Sequence, residues 1–236
     1  MGEEVEKVAL FRGHTIVTID PVAKANFREI NEKSLNGIDV CIDFTTPSVA
    51  LTNARACAMQ GKNIVMGTTG WYDQMKEMKE AVGDVGFIWS GNFSIGVNIF
   101  FRIVEEASKV FERIPEYDIS VFEAHHNKKK DSPSGTAKMI ADIIIKNISR
   151  KDKIVTDKLD RTPEKNELHV ASMRCGSIPG THKVFFDSGA DTIELNHTAR
   201  NRNGFALGAV LAAEFVNGKK GFFCIDDLMQ NIIGGK

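Results

Sequence analysis

Hydrophobic positions along the first ninety residues alternate between two spacings, which predicts helices and strands in turn. Apolar residues at helical spacing over residues 3–12 end at Gly13, and a short apolar run at residues 15–19 predicts a buried strand closed by Asp20. The alternation then repeats and predicts strand 40–44, helix 47–60, strand 63–66, helix 72–81 and strand 85–89. This order is typical of a parallel sheet with helices on both faces, so we expect a doubly wound, Rossmann-like domain.

The pattern changes after residue 93. A helix over residues 98–111 is predicted to lead into a second unit, where the predicted strands outnumber the helices: strands 117–122, 167–173, 182–187 and 190–196, with one helix ending at residue 148. This composition favours an α+β domain with a mixed sheet. The polar residues 149–166 predict a loop or mobile lid with solvated charges. Helix 205–216, strand 222–225 and helix 226–233 then complete the chain.

The segment of residues 123–137, Glu-Ala-His-His-Asn-Lys-Lys-Lys-Asp-Ser-Pro-Ser-Gly-Thr-Ala, lies between a predicted strand and a predicted helix. The helix is indicated by five apolar residues on one face: Ala137, Ile140, Ala141, Ile144 and Ile148. Asp131 or Ser132 is the expected N-cap, with Pro133 near the first helical position. The segment is therefore a strand-to-helix loop.

This loop has the chemistry of an anion site. The backbone N–H groups of Ser134, Gly135 and Thr136 lack partners inside the helix and lie at the positive end of its dipole. Three lysines at positions 128–130 and two histidines at positions 125 and 126 add positive charge and proton donors. We interpret the loop as a site for a carboxylate or phosphate beside a titratable group. The alternative is a solvated basic loop, which is what runs of charge usually form.

Composition excludes several classes of function. Thirty Lys and Arg balance 31 Asp and Glu, so the net charge of −1 gives no reason to expect nucleic acid or an anionic membrane as a partner. No apolar run approaches the roughly 20 residues of a membrane span, and the acidic start is unlike a signal peptide. The four cysteines are scattered, which favours reduced thiols in a cytoplasmic protein.

A metal centre is not predicted. The sequence has no H-x-x-x-H or H-x-x-E-H helix, and His169, His182 and His197 fall on separate predicted strands. These three and His14 are expected at strand ends or on the surface.

Polar residues follow the predicted strands of the first domain, at the edge where ligands bind in open parallel sheets. They are Asp20, residues 45–47, the Gly-Thr-Thr-Gly turn of residues 67–70, and Ser-Gly-Asn-Phe at residues 90–93. Asp20 has two interpretations: it binds the ribose hydroxyls of a dinucleotide, or it caps a turn. The glycine-rich turn is by itself a weak signal.

Taken together, these motifs resemble the dihydrodipicolinate reductase family of the diaminopimelate route to lysine. Residues 123–137 fit the family's E-x-H-H-x-x-K-x-D-x-P-S-G-T-A signature at each fixed position. Further matches are Asp43-Phe-Thr45, Gly67-Thr-Thr-Gly70, Asn92-Phe-Ser-x-Gly-Val-Asn98, Arg174-x-Gly176 and Arg202-x-x-x-Phe-Ala-x-Gly-Ala209.

The resemblance implies a function and a set of roles. It implies NAD(P)H-dependent reduction of 4-hydroxy-tetrahydrodipicolinate to tetrahydrodipicolinate in the cytoplasm, by a homotetramer that binds no nucleic acid or membrane. His125 would be the catalytic acid and Lys129 the assisting donor, while His126, Gly135 and Thr136 would hold the substrate carboxylates. NADH or NADPH would contact Asp20, Gly67, Thr68, Thr69, Ser90, Gly91, Asn92 and Phe93. Because Asp20 repels a 2′-phosphate and only Lys24 is close in sequence, we expect NADH to be preferred and NADPH tolerated.

The resemblance also assigns the domains. Residues 1–93 and 204–236 would form the dinucleotide-binding domain, and residues 94–203 the substrate-binding and oligomerisation domain. Arg202 would approach the site from the end of the second domain.

The sequence departs from the family at its start. The family opens with a buried strand and a glycine-rich turn of G-x-x-G-x-M-G type, and Met1-Gly2 resembles the end of that turn. We therefore expect the first strand and the pyrophosphate-binding turn to be missing, through an incomplete sequence or a real loss. In this form we expect weak dinucleotide binding and poor stability. The alternative function is a truncated, non-catalytic homologue that binds dicarboxylates or acts as a scaffold; a metal-dependent hydrolase is a third hypothesis.

Overall fold

The computed structural model describes residues 1–22, 24–156 and 158–234. Its helices and strands follow in chain order: α1 (Gly2–Phe11), α2 (Glu32–Leu35), β1 (Val40–Asp43), α3 (Pro47–Met59), β2 (Asn63–Met66), a 3₁₀ turn (Tyr72–Gln74), α4 (Met75–Val82), β3 (Gly86–Trp89), α5 (Ile95–Phe111), β4 (Asp118–His125), α6 (Gly135–Asn147), β5 (Lys153–Val155), β6 (Glu167–Arg174), β7 (Thr181–Asp187), β8 (Thr192–Thr198), α7 (Asn203–Val216), β9 (Gly221–Cys224) and α8 (Ile225–Ile233). The chain divides into two compact units, Met1–Ile95 with Arg202–Lys236, and Gly96–Asn201. Within the described ranges, no helix has the length and apolar character to cross a bilayer.

The first unit contains a parallel sheet of four strands in the order β1-β2-β3-β9. Alternate residues of the central strands point to opposite faces. Val65 and Ile88 pack in one cluster with residues of α1 and α7, whereas Ile64 and Phe87 pack in another with residues of α3 and α4. Helices therefore cover both faces, and the predicted doubly wound parallel sheet is confirmed.

The second unit contains a mixed sheet of five strands in the order β5-β6-β4-β7-β8. The central strand β4 pairs in parallel with β6 and antiparallel with β7. Its buried residues Ile119 and Val121 lie in one core cluster with Phe101 of α5 and Ile140 of α6. The predicted α+β domain with a mixed sheet is thereby confirmed.

The strand predicted at residues 15–19 is wrong. Only an isolated bridge between Ile19 and Phe27 forms there, with hydrogen bonds between Asp20 and Phe27 and between Phe27 and Thr18. The segment pairs with no strand of the described sheet. A strand needs a neighbour to satisfy its backbone groups, and local apolar character cannot supply one.

The predicted cap of α6 is also wrong. Ser134, rather than Asp131 or Ser132, is the N-cap, and its hydroxyl accepts a hydrogen bond from the Ala137 N–H at 3.1 Å. Pro133 precedes the cap instead of opening the helix. All four residues are common near helix starts, so local preference could not choose between them.

Residues 149–166 are not simply a solvated loop. They contain the short strand β5 and the buried Lys151, whose ammonium group lies 2.6 Å from the Asp118 carboxylate and donates to the Glu167 carbonyl at 2.7 Å. Arg161 pairs with the buried carboxylate of Glu167 at 2.7 Å. These charges attach the segment to the sheet. Residue 157 lies outside the described residues.

Candidate active site

Five of the residues predicted to contact a cofactor line one cavity of about 250 Å³ in the first unit: Gly67, Ser90, Gly91, Asn92 and Phe93. Gly67 follows β2, and the other four follow β3. Both strands are parallel, so their carboxyl ends meet at one edge of the sheet. The lining also includes Phe44 and Arg202, and both residues belong to the first unit.

Two glycines keep this cavity accessible at the backbone. A Cβ atom at Gly67 would lie 2.3 Å from the Phe44 ring, and one at Gly91 would lie 3.2 Å from the Tyr72 hydroxyl. Only glycine fits at Gly67 without displacing the phenyl ring. Backbone positions without a side chain suit a ligand that approaches the main chain closely, as the phosphates of a dinucleotide do.

Asp43, at the end of β1, joins two of the turns at this edge. Its carboxylate accepts hydrogen bonds from the Thr68 hydroxyl at 2.6 Å, the Thr45 hydroxyl at 2.8 Å and the Asn53 amide at 2.8 Å. Thr68 is buried and does not line the cavity, so its side chain holds the turn while the turn's backbone faces the cavity edge. The role of Asp43 was not predicted, although an acid followed two residues later by a threonine at a strand end is typical of such a turn.

Asp20 lies outside this cavity lining. Its carboxylate accepts from the Val22 N–H at 2.8 Å, and the Arg28 guanidinium donates to its carbonyl oxygen at 3.3 Å. Arg28 was missed in the sequence, where only Lys24 was considered near Asp20. The structure therefore places a guanidinium group next to the predicted ribose-binding acid.

The second unit buries two titratable residues at the carboxyl end of β4. Glu123 and His125 are two residues apart on a strand and so project to the same face, the one that also carries Ile119 and Val121. The Glu123 carboxylate is 0% exposed, and its Oε2 atom lies 2.8 Å from Nδ1 of His125. A carboxylate in such a place requires compensating partners.

Those partners come from two other elements. Arg174, at the end of β6, donates to Glu123 Oε1 at 2.9 Å, and the Ser134 N–H at the start of α6 donates to the same oxygen at 3.2 Å. Burial raises the pKa of Glu123, but hydrogen bonds from Ser134, Ser172 and Arg174 lower it more, so its pKa lies below the ordinary value. Glu123 is therefore ionised at neutral pH.

His182 joins this cluster from β7, directly opposite Glu123 in the sheet register. Its Nε2 atom lies 3.2 Å from the Ser134 hydroxyl and 3.9 Å from Glu123 Oε2, and its ring centroid is 5.1 Å from that of His125. Burial and the nearby His125 lower the pKa of His182 to about 4. His182 lies at a strand end, as expected, but it is buried rather than on the surface, because α6 covers this end of the sheet.

Burial also lowers the pKa of His125, while the Glu123 charge opposes that effect and Lys129 and Arg174 add to it. Its Nε2 atom faces Gly180, where a Cβ would lie only 3.0 Å away. The imidazole thus has a buried Nδ1 atom beside a carboxylate and an Nε2 atom beside a residue without a side chain. This arrangement suits proton transfer at Nε2.

The start of α6 presents the predicted anion site. Gly135 is exposed, Thr136 is half-buried, and the half-buried His126 has a buried Nδ1 atom without a hydrogen-bond partner among the described residues. Lys129 lies 2.9 Å from the Asp131 carboxylate. Burial raises the pKa of Asp131, but Lys129 and the amides of Asp131 and Gly135 lower it more. Asp131 therefore interacts with groups predicted to bind a substrate carboxylate.

The same cluster has the donor set of a metal site, which the sequence did not predict. Glu123, His125 and His182 each offer one ligand atom, and these atoms lie within 4.8 Å of one another in the described part of the chain. Arg174 already balances the charge of the carboxylate, however. The contacts present explain the cluster as a carboxylate held by a guanidinium and an amide, with two imidazoles beside its other oxygen.

Comparisons with known proteins cover both units. The family model "Dihydrodipicolinate reductase, N-terminus" matches residues 4–93, and "Dihydrodipicolinate reductase, C-terminus" matches residues 96–229. A 4-hydroxy-tetrahydrodipicolinate reductase of Christiangramia forsetii is 37% identical over 98% of this chain and 95% of its own length. One of Archaeoglobus fulgidus is 42% identical over 81% of this chain and 76% of its own.

A solved structure agrees on the fold. The dipicolinate-bound dihydrodipicolinate reductase of Paenisporosarcina sp. TG-14 superposes with a TM-score of 0.74 at 21% identity, covering 96% of this chain and 94% of that one. The family models account for most of both units and the two relatives are each more than a third identical. The chain therefore belongs to the dihydrodipicolinate reductase family.

Proposed function

We propose that the chain catalyses the NAD(P)H-dependent reduction of 4-hydroxy-tetrahydrodipicolinate to tetrahydrodipicolinate in the diaminopimelate route to lysine. The observation that carries this proposal is the match of curated 4-hydroxy-tetrahydrodipicolinate reductases over most of the chain, with both family models represented. The relatives support an oxidoreductase, and they give no support to the alternative of a non-catalytic scaffold.

The cofactor is a nicotinamide dinucleotide, which supplies the hydride when bound. The first unit fits such a group, since Gly67 and Gly91 leave the backbone approachable and Ser90, Asn92 and Phe93 line the same cavity. We assign cofactor binding to these five residues, with Thr68 and Thr69 completing the turn.

The preference between the two dinucleotides follows from charge. The Asp20 carboxylate suits the free hydroxyls of NADH and repels the 2′-phosphate of NADPH. Arg28, next to Asp20, offers a positive charge that reduces this repulsion. We therefore assign a preference for NADH with tolerance for NADPH.

Protons and substrate orientation come from the second unit. His125 is assigned as the acid, giving the Nε2 proton to the atom that becomes basic as the substrate is reduced. A dianionic substrate beside the ring raises the pKa of His125, opposing the effect of burial. Lys129 assists by stabilising negative charge on the substrate.

The substrate's carboxylates are assigned to His126, Gly135 and Thr136. Main-chain N–H groups at the start of α6 and its dipole attract an anion, and the imidazole of His126 offers a further donor. In the absence of substrate, Asp131 interacts with Lys129 and with this helix start. On this assignment, a carboxylate of the substrate takes the place of the Asp131 carboxylate when the substrate binds.

The assignment of His125 is tested with His125→Asn. We expect kcat to fall by about 10²-fold or more, the usual contribution of a general acid, while pyridine-2,6-dicarboxylate binding measured by calorimetry changes little. His169→Asn is the matched control, because His169 is a half-buried histidine of β6 in the same unit. Unchanged turnover in His125→Asn would refute the assignment, and absence of NADH-dependent turnover in the unmodified protein would refute the reductase itself.

Oligomeric state and location are further proposals. One face of the five-stranded sheet lies away from the core and carries a shallow cavity of about 410 Å³ lined by residues of β4, β7 and β8, including Phe185. Met173 lies on this face and is exposed. We infer a homotetramer assembled through this sheet, to be measured by light scattering, and a cytoplasmic location consistent with four free cysteines.

A further inference from the structure

The proposed function assigns no role to Glu123, yet its carboxylate is the most enclosed charge of the second unit's site. Its side chain is 0% exposed, and three separate elements supply its partners: β6 through Arg174, the start of α6 through Ser134, and β7 through His182. Replacing a whole buried ion pair by well-packed apolar residues is often neutral for stability, so stability alone does not explain a buried pair. A buried carboxylate between two histidines therefore calls for a chemical explanation.

We propose that Glu123 is a positioning residue that orients the imidazole of His125 and holds its Nδ1–H, so that Nε2 is the atom that exchanges protons with the substrate. This inference rests on the proposed role of His125 and deepens it.

The two oxygens of Glu123 have different surroundings. Oε1 accepts from Arg174 at 2.9 Å and from the Ser134 N–H at 3.2 Å, which fixes the plane of the carboxylate. Oε2 faces the imidazoles, with His125 Nδ1 at 2.8 Å and His182 Nε2 at 3.9 Å. Because Oε1 is anchored from two sides, the negative charge of Oε2 is held beside Nδ1 of His125. The 2.8 Å between these two atoms is an ion-pair contact without hydrogen-bond geometry in this structure.

The geometry at the other nitrogen agrees with this assignment. Nε2 of His125 points towards Gly180, whose missing side chain leaves space beside it, whereas Nδ1 is fully buried. In the imidazolium form both nitrogens carry protons. When the Nε2–H bond breaks and the proton passes to the substrate, the ring keeps its Nδ1–H towards Glu123 and the electron pair remains on Nε2. A proton from water then restores the acid without rotation of the ring.

His182 does not take over this role. Its Nε2 atom interacts with the Ser134 hydroxyl at 3.2 Å and lies more than 1 Å farther from Glu123 Oε2 than His125 Nδ1 does, at 3.9 Å against 2.8 Å. His182 packs edge-on against His125 with ring centroids 5.1 Å apart. It therefore closes the side of the cluster and keeps water from Oε2.

The test compares Glu123→Gln and Glu123→Asp with Glu167→Gln in the protein of 236 residues. Glutamine keeps the size of the side chain but can present an N–H to His125. Aspartate keeps the negative charge, but its shorter side chain places that charge farther from His125. Glu167 is the matched control, because its carboxylate is also 0% exposed and held by basic side chains in the same unit.

We expect Glu123→Gln to lower kcat by about 10²- to 10⁴-fold, the range found when a general acid or base loses the carboxylate that fixes its tautomer, with less than about a threefold change in KM. The alkaline limb of the kcat profile should move to lower pH, and Glu123→Asp should recover part of kcat. Glu167→Gln should keep the kcat and pH profile of the unmodified protein. If Glu123→Gln retains both kcat and the pH profile, the proposal is wrong.

A second measurement does not depend on the folding of the Glu123 variants. ¹⁵N NMR of histidine-labelled protein, with the His125 signals identified by their loss in His125→Asn, reports which nitrogen carries the proton. We expect Nδ1–H in the neutral form, and an Nε2–H tautomer would overturn the proposal. If His125→Asn keeps full turnover, the role of His125 fails, whereas the NMR result still decides whether Glu123 sets the tautomer.

Discussion

Replacing Gly180 with alanine should have two separable effects: backbone strain, which lowers stability, and contact with the His125 ring, which lowers kcat. Gly180 has a φ of +152°, a conformation that residues with a side chain rarely adopt. An added Cβ would also lie 3.0 Å from Nε2 of His125 and 3.3 Å from its Cδ2 atom. The variant therefore strains the backbone and pushes on the atom assigned to proton transfer.

The two effects have different magnitudes. A backbone conformation that is essentially restricted to glycine costs on the order of 1–3 kcal/mol, or about 4–8 °C in the unfolding midpoint for a central value of 2 kcal/mol. Ordinary contacts of a Cβ atom begin near 3.4 Å, so the imidazole must retreat by a few tenths of an ångström. Since a displacement of about 1 Å costs roughly 10²-fold in rate, we expect kcat to fall about fivefold.

Two other glycines of the same unit serve as controls for Gly180→Ala. Gly176 has a φ of +50° and no atom within 4 Å of an added Cβ, so Gly176→Ala introduces strain without contact. Gly189 lies outside the left-handed region, and its added Cβ also meets nothing within 4 Å. Gly176→Ala should lose stability but not kcat, and Gly189→Ala should change neither. Urea unfolding and steady-state kinetics on all three variants measure the two effects.

The reasoning would be refuted by either of two outcomes. If Gly180→Ala keeps the kcat of the unmodified protein while losing stability, the position of the His125 ring does not limit turnover. If Gly176→Ala loses as much kcat as Gly180→Ala, then backbone strain in this region, rather than contact with Nε2, controls the rate.

Three further perturbations address the cofactor turn, the helix start and the buried histidine. Asp43→Asn should raise KM for NADH roughly tenfold with a smaller change in kcat, because a carboxylate that accepts several hydrogen bonds is lost; an unchanged KM would contradict this. Asp131→Asn should tighten binding of pyridine-2,6-dicarboxylate about threefold in calorimetry, since Lys129 no longer pairs with an internal carboxylate, and weaker binding would contradict it. The folded protein keeps His182 neutral down to a pKa of about 4, while the unfolded chain takes up that proton near pH 6.5, so stability falls as pH decreases between these values. Between pH 7 and pH 5, the free energy of unfolding measured with urea should decrease by about 2 kcal/mol less in His182→Gln than in His169→Gln. Equal decreases in the two variants would refute the lowered pKa of His182.

The alternation of strands and helices was predictable because it depends on local spacing. Ile64 and Val65 show the reason: neighbours on one strand point to opposite helical layers, and both are apolar because both layers are present. Residues 15–19 are equally apolar, but whether they form a strand depends on a partner elsewhere in the chain. Local pattern carries no information about that partner.

The burial of charge in the second unit was harder to predict. Lys151 appears in sequence as one more charge of a polar segment, and its burial depends on Asp118 and on the Glu167 carbonyl, which are distant along the chain. His182 is likewise unremarkable until the register of β4 and β7 places it opposite Glu123. Pairing between distant strands decides both environments, so neither could be read from spacing.

Glu123 differs from these residues because part of its environment was accessible from the sequence. The strand was predicted to end at residue 122, whereas β4 continues to His125. With the strand extended, the E-x-H spacing projects both side chains to one face, and the apolar Ile119 and Val121 mark that face as the buried one. A carboxylate next to a histidine on a buried face is therefore predictable, whereas the guanidinium and the helix start that hold its other oxygen are not. The structure adds these contacts: Arg174 and Ser134 donate to Oε1, and Oε2 lies 2.8 Å from Nδ1 of His125, as the proposed positioning role of Glu123 requires.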